Sequence, residues 1–227
     1  MVRTAAVFFD VDFTLIHPGP WFQGPGYQTA CARHGMRADA ALFDRAVTGA
    51  AAVLEGGEEL YDAEIFVRYT QRIIELMGGD GPAAETVARE LCADWAAHHH
   101  FWLYDDVVET LQALADRGIR LGLISNSHRC LVSFQAHFAL DGLISVAVSS
   151  AELGYLKPHP RIFRAALERM RVTAGAAVMV GDSLPHDVLG ARRAGMRGVL
   201  LVRGGRVDRP HEDVPVITSL RELVELI

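Results

Sequence analysis

Five short apolar runs constrain the fold of this chain more than any other feature of its sequence. Each run spans four to six residues that are almost all apolar. Runs of this length and composition are typical of strands that are buried on both faces, as the strands of parallel sheets are. The five predicted strands are residues 5–9, 119–124, 143–148, 177–180 and 198–202.

Amphipathic helix patterns separate the later strands. Apolar residues at helical spacing predict one helix between Asp106 and Gly118 and another around residues 162–170, and a third follows Asp182 and ends at Gly195. Strand and helix therefore alternate from about residue 101 onward, which indicates parallel strands with right-handed crossovers. The predicted fold class is α/β, with a Rossmann-like doubly wound parallel sheet.

A long helical segment interrupts this alternation directly after the first strand. Residues 19–100 contain only helix patterns, which we interpret as four helices, with a clear turn at residues 78–82. The predicted organisation is a core of residues 1–18 and 101–227, with residues 19–100 inserted as an all-helical cap.

Composition and charge limit the possible partners. The chain has 227 residues, of which 50% are hydrophobic, and its formal net charge is −6, so it lacks the basic footprint of a nucleic-acid-binding protein. A small molecule is the expected partner. The apolar run at residues 5–9 is too short for a signal peptide or a membrane span, and the three scattered cysteines suggest neither a disulfide framework nor a zinc site. We expect a cytoplasmic protein without a membrane partner. The sequence does not indicate whether the protein is a monomer or an oligomer.

Polar side chains follow four of the predicted strands, where ligands bind in open α/β sheets. Any one of them has a simpler explanation, since an aspartate or serine after a strand often caps a helix or closes a turn. Together, however, acidic, hydroxyl and basic groups at one sheet edge are costly without a ligand. The candidate residues are Asp10, Asp12, Ser125, Asn126, Lys157, Asp182 and Asp187.

These clusters resemble the four motifs of the haloacid dehalogenase superfamily, in the subgroup with a helical cap inserted after the first motif. The first motif corresponds to residues 10–15 (DVDFTL), the second to Ser125, the third to Lys157 in the sequence LKP, and the fourth to Gly181-Asp182-Ser183 through Asp187. Their order, their spacing and the position of the insert all agree with the resemblance, which covers essentially the whole chain.

The resemblance implies a Mg²⁺-dependent phosphatase that hydrolyses a small-molecule phosphate monoester through an aspartyl-phosphate. Asp10 is the expected nucleophile, and the side chain of Asp12 is the expected general acid and base. By the same resemblance, the side chains of Asp10 and Asp182 and the backbone carbonyl of Asp12 are expected to bind the Mg²⁺ ion, which prefers oxygen ligands.

The remaining motif residues are expected to act around the phosphate and the metal. Ser125, Asn126 and Lys157 are assigned to binding of the substrate phosphate. Asp187 is expected to orient Lys157 or the groups around the metal rather than to bind the metal directly. Further candidates for substrate contact, named only because they lie near the motifs, are Trp21, Phe22, Gln23, His128 and Arg129.

The first motif departs from the family pattern at Phe13, where relatives most often have glycine, and after the Thr-Leu pair, where His17 and Pro18 stand in place of the usual acidic residue. Two interpretations of Phe13 are open. The ring either packs beneath the cap, which we favour, or narrows the site toward small or apolar leaving groups.

Three other functions remain compatible with the fold. A haloacid dehalogenase also uses an aspartate nucleophile, but such enzymes usually lack a second aspartate in the position of Asp12. A phosphomutase would return the phosphate to another hydroxyl group of its substrate, a choice that depends on whether the cap keeps water out. A catalytically idle binding module is disfavoured because every motif residue is intact.

Overall fold

The computed structural model describes residues 3–55, 60–204 and 213–227. It divides into two compact units, one formed by Met1–His17 with Leu103–Ile227 and the other by Pro18–Trp102. The first unit contains the large sheet, and the second is mainly helical. That the helical unit acts as a cap stays a prediction.

The first unit is built on a six-stranded sheet in the order β5-β4-β1-β6-β7-β8, and all five strand pairings are parallel. This arrangement confirms the predicted α/β fold with a doubly wound parallel sheet. Strands β2 and β3 pair separately where the chain passes between the units. The strands are β1 Ala6–Phe9, β2 Ile16–Pro18, β3 Phe101–Leu103, β4 Arg120–Ser125, β5 Ile144–Ser149, β6 Ala177–Gly181, β7 Arg197–Leu201 and β8 Val216–Ile217.

Helices alternate with the strands of the first unit and dominate the second. The described part of the helical unit contains five α-helices rather than four, because the helical stretch from Phe43 to Glu55 is divided at Ala51 into two helices, α2 and α3. The helices are α1 Gly24–Arg33, α2 Phe43–Ala50, α3 Ala52–Glu55, α4 Glu64–Leu76, α5 Ala84–Ala96, α6 Val107–Asp116, α7 Leu131–His137, α8 Ser150–Leu153, α9 Pro160–Met170, α10 Gly190–Arg193 and α11 Arg221–Leu226.

Two differences from the sequence prediction have local causes. The sheet has a sixth strand, β8, whose two residues are too few for a hydrophobic pattern to reveal. The helix predicted after Asp182 begins as a π-helical turn, Leu184–Leu189, before it continues as α10. No helix in the described ranges has the length and apolar character needed to cross a membrane.

The core against one face of the sheet explains a glycine in the middle of a strand. Phe8 of β1 is fully buried in a cluster with Ile124, Val148 and Met179. A Cβ atom at Gly122 of the neighbouring β4 would lie 2.6 Å from the Phe8 ring. Gly122 therefore leaves space for a large aromatic side chain on the central strand.

The backbone of Phe13 lies in the left-handed region, with φ 61°. This region suits glycine and strains residues with a side chain, which gives a physical reason for glycine at this position of the motif. The Phe13 residue is also 45% exposed, which differs from the favoured interpretation of a packed ring. Its main structural cost is therefore in the backbone.

We expect Phe13→Gly to leave the free energy of unfolding unchanged or to raise it by up to ~1 kcal/mol, because glycine adopts the left-handed conformation without strain. Phe13→Val should lower it, since a β-branched residue tolerates positive φ poorly. Chemical denaturation of both variants measures the difference.

Arg171→Gly is the matched control, because Arg171 ends α9 with φ 54° and lies away from the motif loop. It should gain a similar amount through backbone relief alone. A clear loss of stability in Phe13→Gly, beside a gain in Arg171→Gly, would show that packing of the ring outweighs the strain.

Candidate active site

The parallel sheet brings three of the predicted residues to one edge. The central strand β1 lies between β4 and β6, and Phe9 is in register with Leu123 and Val180 on either side. Asp10 follows β1, Ser125 ends β4 and Asp182 follows β6. Their side chains therefore start from the carboxyl ends of three adjacent strands, where the strand order reverses.

Lys157 reaches this edge from the loop after α8 and is 3% exposed. Its Nζ atom donates hydrogen bonds to Asp10 Oδ1 at 2.5 Å, Asp187 Oδ1 at 2.6 Å and the carbonyl oxygen of Ile124 at 2.9 Å. Burial by itself would lower the pKa of Lys157, but the two carboxylates outweigh it and raise that pKa above its usual value. The lysine therefore stays charged in a buried position.

Three carboxylates share the space around this one ammonium group. Oxygen atoms of Asp10, Asp182 and Asp187 lie within 4.8 Å of one another. Burial and the charges of Asp187 and Asp182 raise the pKa of Asp10 well above its usual value, although Lys157 acts in the opposite direction. Desolvation and the Asp187 charge raise the pKa of Asp182 to about 6. The cluster holds more negative charge than Lys157 compensates.

Asp187 is fixed by contacts on both of its carboxylate oxygens. Oδ1 accepts from Lys157, and Oδ2 accepts from the backbone N–H of Ser183 at 3.0 Å. The carboxylate lies so close to Gly181 that a Cβ atom there would be 2.2 Å from Oδ2. The π-helical turn Leu184–Leu189 thus folds Asp187 back over the end of β6, where it holds the lysine.

Asn126 makes two contacts with the backbone of Lys157, and its expected role in phosphate binding stays a prediction. Its Oδ1 atom accepts from the backbone N–H of Lys157 at 2.6 Å, and its Nδ2 atom donates to the carbonyl oxygen of the same residue at 2.9 Å. The Asn126 side-chain amide therefore makes the same two hydrogen bonds to the Lys157 backbone, one donated and one accepted, that a neighbouring β-strand would make. In this structure Asn126 positions the Lys157 loop.

Ser125 presents a buried hydroxyl group at the end of β4, the strand next to β1. The residue is 1% exposed, and within the described ranges its Oγ atom has no hydrogen-bond partner. A buried hydroxyl group without a partner is costly, so such groups mark strain or the place of a bound group.

Asp12 turns toward a residue that the sequence places far away. Its Oδ1 atom accepts a hydrogen bond from Arg129 Nη1 at 3.0 Å. The Asp12 side chain is 18% exposed, whereas that of Arg129 is fully buried. Of the other candidates for substrate contact, His128 lies in the first unit, and the remaining three, Trp21, Phe22 and Gln23, lie in the helical unit.

A partly buried arginine, Arg203, holds the first motif loop and was not predicted from the sequence. Its guanidinium donates to the carbonyl oxygen of Thr14 from Nη2 at 2.8 Å and from Nε at 3.1 Å. It also binds both carboxylate oxygens of Asp106, which accepts in addition from Ser219 and Leu220. The loop that contains Asp12 is thereby tied to the C-terminal part of the chain.

Asp106 was expected only to begin a helix. It does precede α6, but its side chain makes no capping hydrogen bond. Burial works against its charge, yet hydrogen bonds from Arg203, Ser219 and Leu220 outweigh this effect and lower the pKa of Asp106. The helix pattern showed where Asp106 lies in the chain, but nothing in it indicated a partner 97 residues away.

Comparison with known protein families agrees with this geometry. The sequence model of the haloacid dehalogenase-like hydrolases matches residues 4–195 of this chain, a range that includes every candidate site residue. The chain belongs to the haloacid dehalogenase-like hydrolase family. The resemblance found in the four motifs is thus confirmed.

Similar family members differ in the reaction that their names describe. A glyceraldehyde 3-phosphate phosphatase of Methanopyrus kandleri is 29% identical, over 98% of this chain and 96% of that protein. A phosphoglycolate phosphatase of Rhodospirillum rubrum is 32% identical, over 88% of this chain and 80% of that protein. A solved 2-haloacid dehalogenase from Pseudomonas syringae has a TM-score of 0.64 and 25% identity, over 100% of this chain and 98% of its own.

The buried lysine of this haloacid dehalogenase-like hydrolase generates a stability prediction. Lys157→Met should lower the free energy of unfolding at neutral pH by ~3 kcal/mol or more, because removal of one partner leaves buried carboxylates uncompensated. Chemical denaturation without added metal measures this loss.

Arg169→Met is the control for an exposed ion pair. Arg169 contacts Glu152 at 2.9 Å, and their side chains are 40% and 56% exposed, so the expected loss is below ~1 kcal/mol. Equal losses in the two variants would contradict the view that Lys157 neutralises a buried cluster.

Proposed function

We propose that this chain is a Mg²⁺-dependent phosphatase that hydrolyses a small-molecule phosphate monoester through an aspartyl-phosphate on Asp10. One observation carries the proposal: three carboxylates cluster around a single buried lysine, which bonds to two of them and to the carbonyl oxygen of Ile124. The next residue, Ser125, has a buried hydroxyl group without a hydrogen-bond partner among the described residues. Such a cluster favours a divalent cation, and the hydroxyl and ammonium groups are donors suited to phosphoryl oxygens. The names of the two similar phosphatases support a small phosphorylated substrate.

The donor set fits Mg²⁺. Asp10 and Asp182 offer carboxylate oxygens, which are the ligands that this ion prefers, and the backbone carbonyl of Asp12 is the proposed third protein ligand. Asp187 is less suited to direct binding because both of its oxygens already accept hydrogen bonds, from Lys157 and Ser183. When bound, the ion supplies positive charge that offsets the repulsion between the nucleophile and the substrate phosphate.

In the first half of the proposed reaction, a carboxylate oxygen of Asp10 attacks the phosphorus atom, and the bond from phosphorus to the leaving oxygen breaks. Asp12 gives a proton to that oxygen, so the product leaves as an alcohol. Ser125 donates a hydrogen bond to a phosphoryl oxygen. Lys157 offsets the charge on Asp10 and on the transferred group.

In the second half, Asp12, now a carboxylate, takes a proton from a water molecule. The hydroxide attacks the phosphorus atom, the bond to Asp10 breaks, and inorganic phosphate leaves. Asp10 and Asp12 then return to their initial states, so the cycle needs no external reductant or other co-reactant.

The dehalogenase alternative has one observation in its favour, the likeness to the solved 2-haloacid dehalogenase. Asp12 argues against it, because a departing halide ion does not need the proton that a departing alkoxide needs. A carboxylate held beside the nucleophile strand is therefore better explained by phosphate ester chemistry.

We also propose that the helical unit, Pro18–Trp102, acts as a cap that excludes bulk water during phosphoryl transfer, and that the protein works in the cytoplasm. The unit is inserted directly after the first motif, which supports a role in substrate selection. A cap that kept water out after the first step would favour the phosphomutase reaction instead.

The central test is release of inorganic phosphate from a panel of phosphate monoesters that includes glyceraldehyde 3-phosphate and phosphoglycolate, with Mg²⁺ and with excess chelator. We expect Asp10→Asn to lower kcat by more than about 1,000-fold while leaving the fold intact, as loss of a nucleophile does in covalent catalysis. Circular dichroism checks the fold.

Three results would contradict the proposal. Near-normal phosphate release by folded Asp10→Asn would exclude the aspartyl-phosphate. Chloride release from 2-chloropropionate without phosphate release from any ester would favour the dehalogenase. An isomerised substrate phosphate without free phosphate would favour the phosphomutase.

A separate prediction concerns metal binding. Asp182→Asn should weaken Mg²⁺ binding by at least ~10-fold, because the site loses one of its few anionic ligands. Isothermal calorimetry with MgCl₂ measures the affinity directly. The control is Asp116→Asn, because Asp116 is an exposed aspartate at the end of α6 whose carboxylate accepts from Gln112. Equal Mg²⁺ affinity in both variants would remove Asp182 from the metal site.

A further inference from the structure

Arg129 combines a fixed backbone with a completely buried side chain. It lies in the loop between β4 and α7, where its backbone N–H donates to Ser127 Oγ at 2.9 Å. The N–H of Ser127 in turn donates to Ser150 Oγ at 3.0 Å. The start of the Arg129 side chain is thereby fixed relative to the end of the sheet.

The guanidinium group of Arg129 reaches the first motif. Its Nη1 atom donates to Asp12 Oδ1 at 3.0 Å across a sequence separation of 117 residues. The exposed fractions are 0% for the Arg129 side chain and 18% for that of Asp12. A buried arginine contributes little net stability, because desolvation offsets its attraction to a carboxylate, but its planar donors impose a geometry on that carboxylate.

The backbone of Asp12 is fixed independently. Asp12 forms a bridge with Ile16, and the N–H of the next residue, Phe13, donates to the Ile16 carbonyl oxygen at 2.7 Å. These contacts involve only backbone atoms. The orientation of the Asp12 side chain therefore depends on the groups that contact its carboxylate. Arg129 is one such group, because its hydrogen bond to Oδ1 constrains the orientation of the carboxylate.

We propose that Arg129 is a positioning residue, which holds the Asp12 carboxyl group in the orientation needed for proton transfer to the leaving oxygen. This proposal rests on the function proposed above, in which Asp12 is the general acid. Arg129 itself does not touch the substrate, because its side chain has no exposed surface. Its effect on the reaction therefore passes through Asp12.

A positioning role has a consequence that a purely structural role lacks. Proton donation matters for an alkoxide leaving group and hardly at all for a nitrophenolate, which leaves as a stable anion. Loss of Arg129 should therefore slow esters of alcohols more than esters of nitrophenol. The effect should appear in kcat rather than in KM, because substrate binding does not use this contact.

The test compares 4-nitrobenzyl phosphate with 4-nitrophenyl phosphate, two substrates of similar size with an alcohol and a phenol leaving group. Arg129→Met keeps a long buried side chain but removes the donors. We expect it to lower kcat for the benzyl ester by roughly 100-fold, as misplacement of a catalytic group does, and that for the phenyl ester by less than about 10-fold.

Two further variants separate positioning from packing. Arg129→Lys keeps a charged donor and should recover part of the benzyl ester activity, and it remains measurable if Arg129→Met does not fold. Asp12→Asn should show the same leaving-group bias as Arg129→Met, and the double variant should show no added bias, since both changes remove one function.

Arg203→Met is the matched control, because Arg203 is a mostly buried arginine that also pairs with an aspartate, Asp106. Its hydrogen bonds to described residues go to Asp106 and Thr14 rather than to Asp12. Any loss of activity in that variant should be the same for both esters. Equal losses for both esters in folded Arg129→Met, or a change confined to KM, would overturn the proposal for Arg129 alone. A wild-type protein that releases phosphate from neither these esters nor the panel would instead overturn the proposed function.

Discussion

The ion pairs of Lys157 with Asp10 and Asp187 are the interaction on which the site depends. A buried ammonium group is costly unless anionic partners surround it, and the two carboxylates come from different strand ends, β1 and β6. The central position of β1 in the sheet makes this meeting possible. Asn126 adds the last constraint by holding the Lys157 backbone from the end of β4, so the three strand ends converge on one side chain.

The same cluster shows a balance between stability and function. The carboxylates of Asp10 and Asp187 together already carry one more charge than Lys157 neutralises. A third carboxylate, that of Asp182, lies within the same 4.8 Å group. Desolvation and the neighbouring negative charges raise the pKa values of Asp10 and Asp182, which is unfavourable for the isolated fold and favourable for cation binding. Glycine is needed at position 181 for this cluster to form, because any side chain there would collide with the carboxylate of Asp187.

The sequence predicts the structural features that depend on a local pattern of residues. It does not predict side-chain contacts between residues that are far apart in the chain. The buried strands and the ends where Asp10, Ser125 and Asp182 lie follow from short apolar runs and from the family motifs. Hydrophobic periodicity carries no signal for β8, which has two residues. It also could not show that Asn126 binds the Lys157 backbone or that Arg203 pairs with Asp106, since those contacts span 31 and 97 residues and depend on side-chain geometry.

The first motif loop brings these observations together. Phe13 has a left-handed backbone conformation that is strained for a bulky residue, and strained conformations persist only where the surroundings over-determine them. Here Arg203 binds the carbonyl oxygen of Thr14, and Arg129 binds the side chain of Asp12. Two arginines from distant parts of the chain, the buried Arg129 and the partly buried Arg203, thus bind the residues on either side of Phe13. These contacts fix the loop on both sides of Phe13, and of the two arginines it is Arg129 whose hydrogen bond sets the orientation of the Asp12 carboxyl group.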